Sequence, residues 1–170
     1  MSQNILLNCS AGIVTLPPTT LNDRHDGGHL VVNPPREVWE RSELNPTELT
    51  AWSFLVAATG RAMLDVLPQL AGGCINYWEA GNWALHDLAA PPGAKNPQEH
   101  RRVHLHVFGR SRTATDTDWR WGESPKFPDY VDSKTWAAKF TRLNEHECSA
   151  IREQIEKILI EKYGIEKTWS

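Results

Sequence analysis

The sequence carries little net charge. Its 18 Lys and Arg residues against 21 Asp and Glu residues leave a net charge of -3 at pH 7, so bulk electrostatics give no reason to expect binding to nucleic acid or to acidic lipid. Any binding of phosphate must therefore be local. The chain also lacks an apolar run of membrane-spanning length, a basic and apolar signal-like start, internal repeats and low-complexity segments. Its 170 residues predict one domain with elaborations.

Cysteine is scarce, and its number is odd. Cys9, Cys74 and Cys148 show no spacing typical of zinc ligands. This pattern favours buried free thiols in a reducing compartment. Because the start of the chain does not resemble a signal peptide, we expect a cytoplasmic protein.

Tryptophan, in contrast, is abundant. Of the eight tryptophans, Trp78, Trp83, Trp119 and Trp121 lie in segments rich in Gly, Pro, Asp and Asn. Packing of long loops explains such residues more simply than stacking on a nucleic-acid base, although stacking stays open as an alternative.

Short β-prone runs bounded by turn residues predict the strands. The first two flank Ser10-Ala11-Gly12 and form a hairpin, and the third is ended by Pro34-Pro35. The predicted strands are Asn4–Cys9, Ile13–Leu16, His29–Asn33, Cys74–Glu79 and Arg102–Arg110.

Two capping pairs predict two long helices. Asn45 with Glu48, and Pro46 between them, open a helix that runs to about Leu67. Asn144 with Glu147 opens a second helix, which ends at Gly164. Residues 36–44 could form a further short helix. Residues 80–99 and 111–132 show no clear period, and loops of this length are uncommon unless they are functional or mobile.

The strand Arg102–Arg110 is the candidate functional element. At the two-residue period of a strand, Arg102, His104 and His106 share one face, and the apolar residues between them share the other. The two imidazoles could be polar residues on an exposed face, metal ligands, or catalysts of phosphoryl chemistry. Residues 108–112 offer no carboxylate and contain two arginines, which disfavours a cation and favours an anion.

The segment Val103 to Arg110, with Gln98 shortly before it, resembles the signature of the histidine triad superfamily. In that signature three histidines alternate with apolar residues and are followed by two apolar residues, then Pro or Gly, then often Arg. Three further stretches resemble the family in the same order along the chain, and with the signature they cover about residues 27–110: Gly28–Pro34, Asn45–Leu49 and Ile75-Asn76.

The resemblance implies an α+β fold: an antiparallel sheet of about five strands, one long central helix and a C-terminal helix. It implies a single domain over residues 1–170, with a core at about 4–110 and an extension of loop and helix at 111–170. It also implies a homodimer whose sheet extends across two subunits. Its implied ligand is a nucleotide substrate, with no cofactor and no obligatory metal.

The resemblance also assigns roles to residues. Gly109 and Arg110 align with the Pro/Gly-Arg pair, which makes His104 the nucleophile and His106 the third histidine. Arg102 then replaces the first histidine and can stabilise charge but cannot shuttle protons at neutral pH. Five more residues are candidates for the site. Gln98 lies near the bridging oxygen, Asn76 contacts phosphate, and His29, Trp78 and Trp83 are candidates for substrate contact.

The implied function is hydrolysis of a nucleotide conjugate through a nucleotidyl-histidine intermediate. Conjugates of this kind include dinucleoside polyphosphates and nucleoside phosphoramidates. A shifted register would make His104 the first histidine, His106 the nucleophile and Phe108 the third member. A non-catalytic nucleotide-binding protein is the alternative if the loss of the first histidine has disabled turnover. A metal-dependent enzyme and transfer to an acceptor other than water are further alternatives.

Overall fold

The computed structural model describes residues 4–165, whose strands form one antiparallel sheet. The strands are β1 (Asn4–Cys9), β2 (Gly12–Leu16), β3 (His29–Asn33), β4 (Cys74–Trp78) and β5 (Leu105–Arg110). Their spatial order is β1-β2-β3-β5-β4, and every neighbouring pair is antiparallel. The expected α+β fold with a five-stranded sheet is confirmed.

Two long helices dominate the rest of the structure. The helices are α1 (Pro46–Val66), α2 (Pro97–His100), α3 (Ser133–Ala137) and α4 (Glu145–Tyr163). Both α1 and α4 begin with the predicted capping box, in which the asparagine and glutamate side chains bond to each other's backbone N–H groups. Gly164 ends α4 with a left-handed φ of 63°. No helix of residues 4–165 is long and apolar enough to cross a membrane.

The main core lies between the sheet and the helices. Alternation along the strands directs Leu30 and Val32 of β3, and Leu105 and Val107 of β5, into one apolar cluster with α1 and α4. The same alternation directs the intervening residues of β3 and β5, His29 and His106 among them, to the opposite face of the sheet. The fold therefore separates a packed face from a face that carries chemistry.

The predicted strand Arg102–Arg110 is wrong at its start. Paired residues begin at Leu105, opposite Val32. Asn33 ends β3 and is followed by Pro34-Pro35, which offers no backbone N–H for further pairing. Residues 102–104 therefore extend beyond the ladder.

The possible helix at residues 36–44 is also largely absent. A 3₁₀ turn at Arg41–Glu43 is the helical part of this segment. The carbonyl oxygen of Val38 accepts a 2.8 Å hydrogen bond from the backbone N–H of Val103. The segment thus holds residues 102–104 in place instead of bonding along a helix.

Candidate functional site

Three histidines form a continuous chain on the open face of the sheet. His29 on β3 lies diagonally across from His106 on β5, since Val31 pairs with His106 and His29 pairs with Phe108. The Nε2 atom of His29 is 2.9 Å from Nδ1 of His106, and Nε2 of His106 is 3.1 Å from Nε2 of His104. Each contact has hydrogen-bond length.

The hydrogen-bond partners at the two ends of this row of histidines determine which ring nitrogens carry protons. At one end, the backbone N–H of Leu21 donates to Nδ1 of His29 over 3.3 Å. At the other end, the carbonyl oxygen of Arg102 lies 2.8 Å from Nδ1 of His104 and can only accept. With neutral rings, each imidazole has one proton to donate. His29 therefore donates from Nε2 to His106, His106 donates from Nε2 to His104, and His104 donates from Nδ1 to Arg102.

Burial keeps the rings of His29 and His106 uncharged. Burial and, to a lesser extent, the electrostatic interaction with His104 together lower the pKa of His106 to about 3. Burial likewise lowers the pKa of His29 well below 6.5, and His106 and His104 add to the effect. His29 is 2% exposed. At neutral pH both rings are therefore available as defined donors and acceptors instead of cations.

His104 stands where two cavities meet. The larger, of about 810 Å³, is lined by β2, β3 and the loop after β3, with polar side chains such as Thr15, Asn33 and Glu37. The smaller, of about 390 Å³, is lined by Leu21, Trp78, residues 80–84 and His100, and we call it the tryptophan cavity. Within residues 4–165, the residues that line both cavities are Arg102, His104 and His106. A group bound at His104 can therefore extend to either side.

Arg102 lies at this junction with its side chain largely exposed. Its Nε donates to the Glu37 carboxylate over 3.2 Å, and its Nη1 donates to the Arg101 carbonyl oxygen over 2.7 Å. The guanidinium lines both cavities. It thus places a permanent positive charge beside His104.

The other predicted site residues lie at different distances from His104. Trp78 and Trp83 line the tryptophan cavity beside His104, whereas His29 lies behind His106 as its hydrogen-bond partner. Gln98 is exposed on α2, and its carbonyl oxygen lies 3.4 Å from Nη1 of Arg102. Asn76 accepts from Arg110 over 3.4 Å and lines a different cavity, of about 480 Å³, towards the far end of β5. The roles of Gln98 and Asn76 stay predictions.

The sequence did not predict where residues 111–132 pack. They pack on the open face of the sheet, where Phe127 stacks on Trp78 with ring centroids 4.2 Å apart, and Trp119 is buried against Phe108. Arg110 donates to the carbonyl oxygens of Arg120 and Glu123. The arginine after Gly109 was the one available signal, but its partners lie in a segment without period.

The carboxylate of Asp26 also holds residues 111–132 in place, and the sequence did not indicate this role. It is 2% exposed and accepts hydrogen bonds from the backbone N–H groups of Thr115 and Asp116 at 2.8 and 3.0 Å. Asp26 lies in a polar loop, where nothing distinguishes it from a solvated residue. Its burial is a product of tertiary structure.

Comparisons with known proteins identify the fold. Neither a family model nor a curated protein sequence matches this chain. Among solved structures, a hypothetical histidine triad nucleotide-binding protein from Sulfolobus tokodaii matches with a TM-score of 0.52 and 14% identity, over 100% of this chain and 93% of that one. A histidine triad protein from Marinobacter aquaeolei matches with a TM-score of 0.50 and 19% identity, over 90% of each chain. The chain therefore has the fold of histidine triad proteins.

Proposed function

We propose that the protein hydrolyses nucleotide conjugates, such as dinucleoside polyphosphates or nucleoside phosphoramidates, through a nucleotidyl-histidine intermediate on His104. The observation that carries the proposal is the position of His104 between two cavities, with its Nδ1 bonded to the Arg102 carbonyl oxygen. This bond leaves the free electron pair of the neutral ring on Nε2. A nucleophile so placed can hold the nucleotide on one side and the leaving group on the other.

The reaction has two halves. In the first, Nε2 of His104 bonds to the α-phosphorus while the bond from phosphorus to the leaving atom breaks. The leaving atom keeps the electron pair of that bond and takes a proton from solvent. In the second, a water oxygen bonds to phosphorus, the N–P bond breaks with return of its electron pair to His104, and the water releases one proton. The net reaction consumes one water molecule and needs no cofactor.

Neighbouring residues stabilise the charge that develops on the phosphoryl group. The Nε2–H of His106 donates to a phosphoryl or bridging oxygen, in place of the bond that it makes to His104 in the free protein. Arg102 supplies a permanent positive charge at the same junction. His29 is a positioning residue, because its bond to Nδ1 of His106 keeps the His106 proton on Nε2.

A non-catalytic nucleotide-binding protein is the second candidate function. The observation that favours it is the state of His104, whose Nε2 accepts from His106 in the free protein. If substrate does not displace this bond, the electron pair of Nε2 stays engaged and the bound nucleotide is not attacked. Arg102 in place of a histidine would then serve for binding alone.

Turnover with and without a metal chelator separates these functions. We expect AMP to form from AMP amide or from diadenosine tetraphosphate at the same rate in the presence of EDTA. His104→Ala should abolish AMP formation, whereas His146→Ala, on the exposed surface of α4, should leave the rate unchanged. Acid-quenched protein should carry the nucleotidyl group on His104, detected by mass spectrometry of its peptides.

Each other result has a distinct meaning. Binding of nucleotide without turnover would favour the non-catalytic function. A nucleotidyl group on His106 would replace the assignment of the nucleophile with the shifted register. Loss of turnover in EDTA would favour the metal-dependent enzyme.

A further inference from the structure

The tryptophan cavity has a lining that suits an uncharged group. Its walls are largely apolar: Leu21, Trp78, Ala80, Gly81, Trp83 and Ala84. Its volume of about 390 Å³ is at the lower end of the range for small-molecule sites, which is about 300–1,000 Å³. Such walls bind a small planar group by removing apolar surface from water.

The aromatic walls of this cavity are held in place from outside. Trp78 is held between Phe127, whose ring is nearly parallel to it at 4.2 Å, and His106, at 5.5 Å between centroids. The ring of Tyr130 meets Trp83 edge-on at 6.3 Å. Phe127 and Tyr130 thus support, from outside the cavity, two of the side chains that line it. It is a formed site and does not need to close on its ligand.

Among the residues that line the tryptophan cavity, Arg102 carries a permanent positive charge. Its guanidinium already donates to the Glu37 carboxylate over 3.2 Å. A polyphosphate leaving group brings several negative charges, which require unpaired cations. The tryptophan cavity therefore suits such a group poorly.

The nucleoside part of a conjugate fits the opposite side. Ribose hydroxyls need hydrogen-bond partners, and the larger cavity offers Thr15, Thr19, Asn33 and Glu37. Its volume of about 810 Å³ also exceeds that of the tryptophan cavity. Assignment of the nucleoside to this side leaves the tryptophan cavity for the leaving group.

From these observations, and on the basis of the function proposed above, we infer that the tryptophan cavity is a leaving-group site for an uncharged aromatic group. The substrate class is then a nucleoside monophosphate joined to an arylalkyl amine or alcohol. During the reaction the bond from phosphorus to the amine nitrogen or alcohol oxygen breaks. That atom keeps the electron pair and takes a proton from solvent, and the group leaves as a neutral amine or alcohol.

A matched pair of amides tests the inference. The 2-phenylethyl amide and the 2-carboxyethyl amide of AMP share the nucleotide and the reacting bond but differ in the terminal group. We expect kcat/KM for the phenylethyl amide to exceed that for the carboxyethyl amide by about tenfold or more, and to exceed that for diadenosine tetraphosphate. Comparable values for the two amides would overturn the inference and leave the proposed hydrolase intact.

Variants localise the effect. Trp83→Ala should lower kcat/KM for the phenylethyl amide about tenfold more than kcat/KM for unsubstituted AMP amide, while Trp83→Phe should restore the value for the phenylethyl amide. Trp121→Ala is the matched control, since Trp121 lines the separate cavity beside Arg110. An equal loss on both amides in Trp83→Ala would contradict the assignment.

A binding measurement separates failure of the inference from failure of the proposed function. In NMR spectra of the wild-type protein, 2-phenylethanol should shift the indole N–H signals of Trp78 and Trp83 and leave that of Trp121 unchanged. Shifts of the same two signals by adenosine would instead make this cavity the base site and overturn the inference. Absence of turnover on every amide would refute the hydrolase, and the leaving-group assignment with it, even if 2-phenylethanol binds.

Discussion

In the proposed reaction, His29 acts through the proton of His106. Nε2 of His29 donates to Nδ1 of His106, and the backbone N–H of Leu21 donates to Nδ1 of His29. Without this partner, the His106 proton can move to Nδ1, and Nε2 is then no longer a donor at the junction of the cavities. The buried side chain of His29, which contacts no substrate, thus determines which nitrogen of the His106 ring donates.

Substitution of His29 should lower kcat and leave KM nearly unchanged. Phenylalanine retains the stacking on Phe108, whose centroid is 4.3 Å away, but it removes both hydrogen bonds. We expect His29→Phe to reduce kcat about ten- to a hundredfold, by analogy with the hydrogen-bond partners that orient metal-ligating histidines. His29→Gln, which can still donate to His106 and accept from Leu21, should recover part of the loss. A rise in KM with unchanged kcat would indicate that His29 contacts substrate.

The neutral state of the buried rings should also make stability depend on pH. The pKa of His106 is lowered from 6.5 to about 3 in the folded protein, so below pH 6.5 the unfolded chain takes up a proton there that the folded protein does not. The resulting stability is fully present above pH 6.5 and is lost as pH falls towards 3. We expect this histidine to lower the free energy of unfolding by about 1 kcal/mol per pH unit between pH 6 and 5.

Urea denaturation of a variant measures this contribution. His106→Gln lacks the titrating ring, so its free energy of unfolding should fall less steeply between pH 6 and 5 than that of the wild type. His25→Gln, at an exposed position, should keep the steep dependence. Parallel curves for the wild type and His106→Gln would show that the folded protein accepts the proton on His106.

At the scale of elements, residues 111–132 pack behind Trp78 at the site because two charged side chains hold them. Asp26 accepts from backbone N–H groups near the start of this segment, and Arg110 donates to the carbonyl oxygens of Arg120 and Glu123 in its middle. Further along, Phe127 supports Trp78. The segment has little regular structure, but it is anchored to the sheet at several places.

Asp26→Asn should loosen this segment. Thr115 and Asp116 donate to different oxygens of the carboxylate, and in asparagine one of these oxygens is replaced by an NH2 group, which cannot accept. We expect a loss of stability of about 1–3 kcal/mol and faster hydrogen exchange at these two amides. Asp129→Asn, at an exposed position, is the control. Unchanged exchange at Thr115 and Asp116 in Asp26→Asn would contradict the anchoring role.

The sequence predicts those elements whose signals are local. Asn45 with Glu48 and Asn144 with Glu147 mark the starts of α1 and α4, because a capping box needs residues three apart and nothing else. The start of β5 could not be predicted in the same way. It is set by Pro34-Pro35, the residues that follow its partner strand, and that pairing is a long-range property.

At the scale of the molecule, the candidate site shows the same division. Alternation on one strand predicts that the side chains of His104 and His106 lie close together. The junction of two cavities could not be predicted, because its walls come from β2, β3 and residues 80–84, which are far apart in sequence. The Leu21 N–H at the end of the histidine chain was equally hidden, since every residue except proline carries such a group.

The free edges of the sheet bear on the expected homodimer. β1 and β4 are the edge strands. The pairing of β1 with β2 shifts register between Ile5 and Leu7, and such irregularities hinder the addition of another strand. β4 pairs regularly with β5, and Tyr77 on it is 49% exposed. We therefore expect two chains to join their sheets through β4.

Light scattering after size exclusion tests this expectation. The wild type should show twice the chain mass of 19.2 kDa. Tyr77→Lys should shift the protein towards the mass of one chain, because it brings two like charges together across the shared edge. Ile5→Lys, on the other edge, should keep the doubled mass. A wild-type mass of one chain at micromolar concentration would contradict the homodimer.

In the proposed mechanism, the bond between His106 and His104 keeps the nucleophile inactive until substrate binds. While Nε2 of His104 accepts the proton of His106 over 3.1 Å, its electron pair is masked from passing electrophiles. A phosphoryl oxygen that draws this proton to itself uncovers the nucleophile in the same movement. Substrate binding and activation of the nucleophile then occur together. A molecule without an acceptor oxygen at that point leaves the bond between His106 and His104 in place.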